Sequence, residues 1–301
     1  MQPIYIAGPT ASGKSAVTLQ LAARLGGEII SVDSMQVYRG LDIGTAKPTP
    51  QERAEIPHHI IDVREVNESF DVAQFLRLAK DAERDITGRG RVAIYCGGTG
   101  LYFNALASGV GEAPGSNADL RTELESTPLP KLLEELASAD PETFARIDQS
   151  NARRVVRAIE VIRTTGKPYS EQRSKWNKEH SGAWFGLSRE REDLPRRINA
   201  RVDAMFAAGL VEETQELLTR GLDENRTAMQ AIGYRQVVEH LRGERDLQTT
   251  IDLIKQKTRQ FAKRQGTWFR NQLQLRWIEA REDTTPEEIA EQIFAQLEPR
   301  D

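Results

Sequence analysis

Short apolar runs alternate with amphipathic segments through the first hundred residues of the chain. The apolar runs are short enough to be buried strands, and the amphipathic segments place apolar residues at helical spacing. This alternation is typical of a parallel sheet flanked by helices, so we predict an α/β fold. Strands are predicted at 3–7, 28–32, 59–63 and 91–96, with helices at 15–25 and 71–86.

The pattern changes near residue 112, where Pro, Gly and Ser become frequent and apolar residues then follow helical spacing without strands. We predict a small all-helical insertion domain at 113–183, between the two parts of a core at 1–112 and 184–301. The apolar segment "AWFGLSRE" is predicted to return the chain to the sheet. Further helices are predicted at 198–219, 228–242, 247–270 and 286–297, and "WIEA" at 277–280 is predicted as a last strand.

The composition fits a globular protein rather than a disordered one. The chain has 301 residues, of which 39% are hydrophobic and 29% are charged, so it can bury a sizeable core. It has one cysteine, Cys96, which excludes an internal disulfide framework and a zinc site built on several thiolates. We interpret Cys96 as a small buried residue, and we expect a cytoplasmic protein with no membrane segment.

The net charge of −4 hides two basic segments. Residues 253–278 contain no acid and interleave seven Lys and Arg residues with aromatic side chains. A second basic cluster lies at 153–178 and includes Arg173, Lys175 and Lys178. Each segment alone is equally compatible with a solvated helix face, whereas the two together indicate a surface for a polyanion.

The segment "GPTASGKS" joins the first predicted strand to the first predicted helix and matches the phosphate loop of nucleotide-binding proteins. In such a loop, backbone N–H groups and the helix N-terminus surround an anion, and a lysine adds a point charge. The hydroxyl of Ser15 would reach Mg²⁺, which we expect as the cofactor. The predicted phosphate-binding residues are Gly8, Pro9, Thr10, Ala11, Ser12, Gly13, Lys14 and Ser15.

The motif leaves open which phosphate compound binds. ATP-hydrolysing enzymes usually add a second acid at a strand end to hold Mg²⁺, and the fourth predicted strand ends in "CGGTG" instead. Asp62 is the other candidate, although as a mid-strand residue it can equally pair locally. Asp33 follows the second strand, where a carboxylate can act as a general base or can cap its own loop.

Nine blocks of the sequence resemble the bacterial tRNA dimethylallyltransferase family. They occur in order between residues 8 and 270 and are, in turn, "GPTASGKS", "DSMQVYRGLDIGTAKP", "PHHIIDV", "GGTGLY", "RRVVRAIEV", "RINARVDAM", "AGLVEE", "AIGYRQ" and "KRQGTWFR". The resemblance implies a P-loop NTPase-like core that transfers a dimethylallyl group from dimethylallyl diphosphate to N6 of adenosine 37. The acceptors would be tRNAs that read codons beginning with U.

The same resemblance implies roles for particular residues. Asp33 would be the general base, Lys14 would stabilise the departing diphosphate and Thr99 would help to place the adenine. Arg201 would add a contact to the diphosphate, although Thr99 could equally cap a helix and Arg201 could be a surface charge. The target adenosine must be flipped out of its stack, so extensive contacts to the anticodon stem-loop are expected. The implied tRNA-binding residues are Asp33, Ser34, Met35, Gln36, Thr99, Arg121, Arg153, Arg154, Val155, Val156, Arg157, Gln230, Gly233, Tyr234, Arg235, Lys263, Arg264, Gln265, Trp268 and Arg270.

Three other functions stay open at this point. A small-molecule kinase would use the phosphate loop with ATP, and an adenylate prenyltransferase would need neither basic segment. A non-catalytic RNA-binding module would leave the phosphate loop unexplained. We infer no obligate protein partner and expect a monomer.

Overall fold

A computed structural model of the chain describes residues 2–109, 115, 117–172 and 181–297. Within these ranges, six parallel strands form one sheet in the order β3-β2-β4-β1-β5-β6. Ile4 of β1 pairs with Ile94 on one side and with Ala183 on the other. The strands are β1 (Ile4–Ala7), β2 (Glu28–Val32), β3 (His58–His59), β4 (Ala93–Gly97), β5 (Ala183–Arg189) and β6 (Arg276–Ala280).

Helices follow most of the strands, as expected for a parallel sheet. Two short 3-10 turns, Leu222–Glu224 and Ala228–Gln230, lie between the last long helices. The α-helices are α1 (Lys14–Leu25), α2 (Pro50–Glu55), α3 (Val72–Gly88), α4 (Gly100–Ser108), α5 (Ala118–Ser126), α6 (Leu129–Ala139), α7 (Pro141–Arg146), α8 (Ala152–Thr165), α9 (Tyr169–Gln172), α10 (Asp193–Ala207), α11 (Leu210–Thr219), α12 (Tyr234–Leu241), α13 (Leu247–Gln272) and α14 (Pro286–Ala295).

Both faces of the central strands β1, β2 and β4 are buried, which explains why most of their residues are apolar. On β1, Ile4 and Ile6 belong to the core cluster that α1 and α14 cover. Tyr5, on the opposite face, belongs to the cluster that contains residues of α3, α4 and α10–α13. Its ring stacks on those of Tyr95 and Trp184, with centroids 4.7 and 3.9 Å away. The two cores hold the carboxyl ends of the central strands in a fixed arrangement.

The chain folds as two compact units, one made of Met1–Ala107 and Lys178–Asp301 and the other of Ser108–Asn177. The second unit has its own apolar core, because α5, α6 and α8 each turn apolar side chains inward. The boundaries predicted from the sequence, after residues 112 and 183, lie a few residues later at each end. The fully buried residues of this core cluster include Leu124, Leu132, Leu136, Val155, Ala158 and Ile159.

The α/β fold and the strand "WIEA" are confirmed, and three local predictions are wrong. The strand predicted at 59–63 ends at His59, because Ile60 and Asp62 adopt left-handed φ angles of 63° and 56° that are incompatible with a strand. The helix predicted at 198–219 breaks at Gly209, whose φ is 98°. The helix predicted at 228–242 begins as a 3-10 turn and becomes α-helical only at Tyr234. Over the described residues, no helix has the length and apolar character needed to cross a membrane.

Candidate active site

The phosphate loop runs from the end of β1 to the start of α1, as predicted. Ala11 and Gly13 have left-handed φ angles of 62° and 93°, which fold the loop into a tight turn before the helix. The Lys14 ammonium donates to the carbonyl of Pro9 at 3.2 Å. Burial lowers the pKa of Lys14, so its charge lacks the stabilisation that water or an anion would provide. The loop therefore holds a partly buried cation at the start of α1.

Three side chains from distant parts of the chain hold this loop in shape. Arg189 at the end of β5 donates through Nε to the Ser12 carbonyl at 3.2 Å, and Arg197 on α10 donates through Nε to the Ala11 carbonyl at 3.1 Å. The Gln265 side chain on α13 accepts from the Thr10 N–H at 2.9 Å and donates to the Gly98 carbonyl at 2.8 Å. Gln265 was predicted as a tRNA contact. In the structure its side chain bridges the phosphate loop and the loop that follows β4.

Asp33 and Thr99 follow neighbouring strands and meet at the carboxyl edge of the sheet. The Ser34 N–H donates to Thr99 Oγ1 at 3.0 Å, and Asp33 Oδ1 accepts from the N–H groups of Met35 and Gln36 at 2.8 and 3.4 Å. Close approach of the strands permits this pairing. A Cβ atom on Gly97 would lie 2.8 Å from the Cα of Val32, which a real side chain could not tolerate.

A cavity of about 700 Å³ brings these groups together within the larger unit. The loop at 44–48 forms part of its wall, and residues of α10, α12 and α13 contribute to the lining. This is the convergence expected where parallel strands end. Of the predicted residues, the lining includes Thr10, Lys14, Ser15, Asp33, Ser34, Met35, Gln36, Thr99, Arg201, Gln230, Arg235, Arg264 and Gln265.

Arg201 lines this cavity and is not a surface charge. It lies on α10, and its Nη2 donates to the Thr45 carbonyl at 3.5 Å. Burial lowers the pKa of Arg201, while the Asp33 carboxylate acts in the opposite direction. Arg201, Lys14 and Asp33 therefore share one electrostatic environment, in which two cations stand beside one carboxylate.

Asp62 does not serve as a second acid for the phosphate loop. Its carboxylate accepts from the Lys47 ammonium and the Arg53 guanidinium, both at 2.6 Å. Burial acts to raise the pKa of Asp62, but these two cations outweigh that effect and lower it. The expectation that Asp62 pairs locally is confirmed, and its assignment to a strand is wrong. Among the described residues, no group of three or more His, Cys, Asp and Glu side chains could hold a metal ion.

Some of the predicted tRNA-binding residues of the helical unit are exposed, and others are ion-paired or buried in its core. Arg153 and Arg154 on α8 are exposed, whereas Arg121 and Arg157 form ion pairs with the buried Glu160 at 2.7 and 2.8 Å. Val155 and Val156 pack inside the core of this unit, so the prediction that they contact tRNA is wrong for their side chains. The apolar spacing of α8 already carried this signal. Of the second basic cluster, Arg173, Lys175 and Lys178 lie outside the described residues.

The segment at 253–278, which contains no acidic residue, lies largely on α13. Two of its first cations are paired within the protein, and its later cations are exposed. In the first part, Lys255 pairs with Asp203 and Arg259 donates to Asn199, both at 2.6 Å. In the second part, Lys263, Arg264 and Arg270 are exposed, and the Arg270 guanidinium lies 5.0 Å from the ring centre of Trp277. Trp268 is partly buried against Gly100.

The "AIGYRQ" block also differs from its prediction in one respect. Gln230 and Arg235 line the cavity, and Gly233 precedes α12 with a φ of 109°. The Tyr234 side chain is fully buried, and its hydroxyl donates to Glu213 at 2.5 Å. The prediction that Tyr234 contacts tRNA is therefore wrong for its side chain.

The sequence analysis did not predict three parts of the site, because their partners lie far away in the sequence. These parts are Arg189, Arg197 and the loop at 44–48.

Comparisons with known proteins point to one family. The family described as IPP transferase matches residues 36–272. The tRNA dimethylallyltransferase 1 of Trichlorobacter lovleyi is 48% identical over 282 residues, covering 91% of this chain and 92% of the relative. The crystal structure of the tRNA isopentenylpyrophosphate transferase of Bacillus halodurans is 41% identical with a TM-score of 0.72, covering 98% of this chain and 96% of that one. A eukaryotic dimethylallyltransferase acting on tRNA is 29% identical with a TM-score of 0.82, covering 99% of this chain and 80% of that one.

Proposed function

The chain belongs to the IPP transferase family, and from this premise we propose that it transfers a dimethylallyl group from dimethylallyl diphosphate to N6 of adenosine 37 in tRNA. One observation carries the proposal. The phosphate loop, Asp33 and Arg264, an exposed cation of the acid-free segment at 253–278, line the same cavity. A prenyl diphosphate and an extruded base could therefore meet there.

In the proposed reaction, the N6 lone pair attacks C1 of the donor and the C1–O bond breaks. The electron pair of that bond leaves with the diphosphate, and the N6 proton passes to the Asp33 carboxylate. An amine conjugated to a purine is a weak nucleophile, so proton removal and stabilisation of the leaving group both matter. The hydroxyl of Thr99 accepts a hydrogen bond from the N–H of Ser34, the residue after Asp33. In this position Thr99 can help to hold the edge of the adenine.

The diphosphate would bind at the phosphate loop and beside Lys14 and Arg201. The cavity presents both cations with pKa values lowered by burial, so a bound anion would supply the counter-charge they lack. Mg²⁺ fits the donor set, because it takes few protein ligands when phosphate oxygens and water complete its octahedron. The Ser15 hydroxyl, which lines the cavity, would hold it, and the ion would supply further charge neutralisation on the diphosphate.

The tRNA anticodon stem-loop would contact exposed cations on two elements. Lys263, Arg264 and Arg270 on α13 would meet the backbone near the cavity, and Arg153 and Arg154 on α8 would bind through the helical unit. Such contacts would offset the few kcal/mol needed to extrude a stacked base. We infer a cytoplasmic site of action, because the tRNA substrate is found there. The monomeric state stays a prediction, and light scattering after gel filtration would test it.

The direct test uses radiolabelled dimethylallyl diphosphate with Mg²⁺ and unmodified tRNA that carries adenosine 37. We expect labelled N6-prenyladenosine from this tRNA and none from a matched transcript with guanosine at position 37. Label transferred to free AMP but not to tRNA would instead support an adenylate prenyltransferase. Transfer to neither acceptor would contradict the proposal.

A kinase is the alternative that uses the same loop, and ligand titration separates the two functions. We expect the protein to bind dimethylallyl diphosphate in Mg²⁺ and to hydrolyse no ATP. Lys14→Met should weaken donor binding because it removes a partly buried cation from the loop. Rapid ATP hydrolysis together with no response to the prenyl donor would favour the kinase.

A further inference from the structure

The half-buried Glu213 and the fully buried Tyr234 form a hydrogen-bonded pair that holds the loop at 43–45, and we name this pair the clamp. Glu213 lies on α11, and its two carboxylate oxygens accept from the Ile43 N–H at 3.1 and 3.0 Å. The Tyr234 hydroxyl donates to Glu213 at 2.5 Å and accepts from the Gly44 N–H at 3.0 Å. Two successive backbone amides of the loop thus end on side chains 170 and 190 residues away.

The packing at Gly44 shows that this contact has little freedom. A Cβ atom on Gly44 would lie 2.5 Å from Cε2 of Tyr234, so the ring rests directly on the backbone. The other end of the loop is fixed separately. Lys47, whose side chain is 1% exposed, donates to Asp62 at 2.6 Å and to the Tyr38 carbonyl at 2.8 Å. The segment between these two anchors has little room to move.

The segment between the anchors contacts two polar side chains of the cavity. The Thr45 carbonyl accepts from Arg201 at 3.5 Å and from the Gln36 side-chain amide at 3.3 Å. Gln36 also accepts from the Ser31 hydroxyl at 2.9 Å. One carbonyl oxygen therefore orients both Arg201, the cation proposed for the diphosphate, and the side-chain amide of Gln36, three residues after the proposed base Asp33.

We propose that Glu213 and Tyr234 are positioning residues, which fix the Thr45 carbonyl and through it hold Arg201 in the orientation that binds the prenyl diphosphate. This inference rests on the proposed function, since it assigns Arg201 to the leaving group. It also gives Tyr234 a role in the interior in place of a direct tRNA contact. Displacing an oriented group by about 1 Å can cost up to about a hundredfold in rate.

The test compares Tyr234→Phe and Glu213→Gln with matched control variants elsewhere in the core. Tyr95 is also buried, and its hydroxyl donates to Glu83 at 2.5 Å; neither residue lines the cavity. Tyr95→Phe and Glu83→Gln therefore remove the same kind of hydrogen bond without touching the loop. Thermal unfolding of all four variants would measure the general cost of losing such a bond.

Single-turnover prenylation at saturating tRNA, measured against donor concentration, gives the donor Kd and the maximal rate. We expect the Kd for dimethylallyl diphosphate to rise about tenfold or more in Tyr234→Phe and Glu213→Gln. Both control variants should keep the wild-type Kd, and tRNA affinity should stay within about twofold in all four. Equal Kd values in clamp and control variants would overturn the proposal, because the clamp would then only stabilise the fold.

Hydrogen exchange of the peptide that spans residues 41–48 gives a readout without catalysis. The amides of Ile43 and Gly44 should exchange faster in Tyr234→Phe than in Tyr95→Phe, because only the first variant removes an acceptor from this loop. Faster exchange with an unchanged donor Kd would also overturn the positioning role. Wild-type protein that prenylates no tRNA would contradict the proposed function itself, which separates the two failures.

Discussion

The structure shows which carboxylate oxygen of Asp33 supports its loop. The role of Asp33 as a general base can therefore be tested separately from its role as a cap. Oδ1 accepts from the N–H groups of Met35 and Gln36, and over the part of the chain that the structure describes Oδ2 has no hydrogen-bond partner. A base needs a carboxylate oxygen that can take a proton, whereas a cap needs only an acceptor. Asn and Ala at position 33 therefore separate the two roles.

Asp33→Asn keeps an oxygen at the capping position and removes the basic group. We expect its stability to match that of the wild type, whereas Asp33→Ala should lose about 1 kcal/mol, as is usual when a side-chain cap is removed. Both variants should lower the chemical rate about 10²-fold to 10⁴-fold, which is the usual contribution of a positioned base. Tight tRNA binding should persist in both.

The assay is single-turnover prenylation at saturating donor and tRNA, with chemical denaturation run on the same preparations. The decisive comparison is the rate of Asp33→Asn. A rate near that of the wild type in Asp33→Asn, combined with a slow Asp33→Ala, would assign Asp33 to capping and refute its role as the base. Loss of tRNA affinity in Asp33→Asn equal to the loss of rate would also refute it.

Three further predictions concern charged and polar side chains of the larger unit. Charge reversal at Lys263 and Arg270 should weaken tRNA binding and lower the slope of log K against log salt by about one unit per lost phosphate contact; anisotropy titrations across a salt series that give unchanged slopes would return these residues to a solvated helix face. Gln265→Ala removes the bridge to the phosphate loop and should raise the donor Kd about tenfold with tRNA affinity unchanged, so a calorimetric Kd within twofold of the wild type would show that the loop keeps its shape unaided. The pKa of the buried Glu28 is lowered from 4.5 to about 2, and the largest cause is the hydrogen bonding from Arg89. The ionised Glu28 therefore stabilises the folded state fully above pH 4.5, and this stabilisation is lost as the pH falls toward 2. Glu28→Gln should therefore remove about 3 kcal/mol of the acid-dependent loss of stability seen in denaturation curves, and equal acid slopes in both proteins would contradict this.

The sequence predicted the parts of the site that depend on sheet topology. The phosphate loop, Asp33 and Thr99 each follow a strand, and parallel strands bring such positions to one edge. Short-range patterns were also sufficient for α1, α3 and the return of the chain through β5. The short apolar runs of β1 and β4 likewise needed no knowledge of the rest of the fold.

The remaining features depend on contacts between residues far apart in the chain. Ile60 has a left-handed φ that ends β3 early. The sequence could not have predicted this conformation, because β-branched residues rarely adopt it. Tyr234 was assigned to RNA because its block contains it, but its burial depends on Glu213 and on the loop at Gly44. The periodicity of α8, by contrast, could have placed Val155 in the interior from the sequence alone.

The close approach of Val32 and Gly97 has a consequence for inherited variation in this protein. The spacing between the two strand ends depends on the absence of a methyl group, and no group at position 97 takes part in the chemistry. A Gly97→Ala allele would therefore impair the enzyme while every side chain proposed to touch a substrate stayed intact. A genetic screen would recover it among null alleles, and a ranking of variants by chemical role alone would place it among the harmless ones.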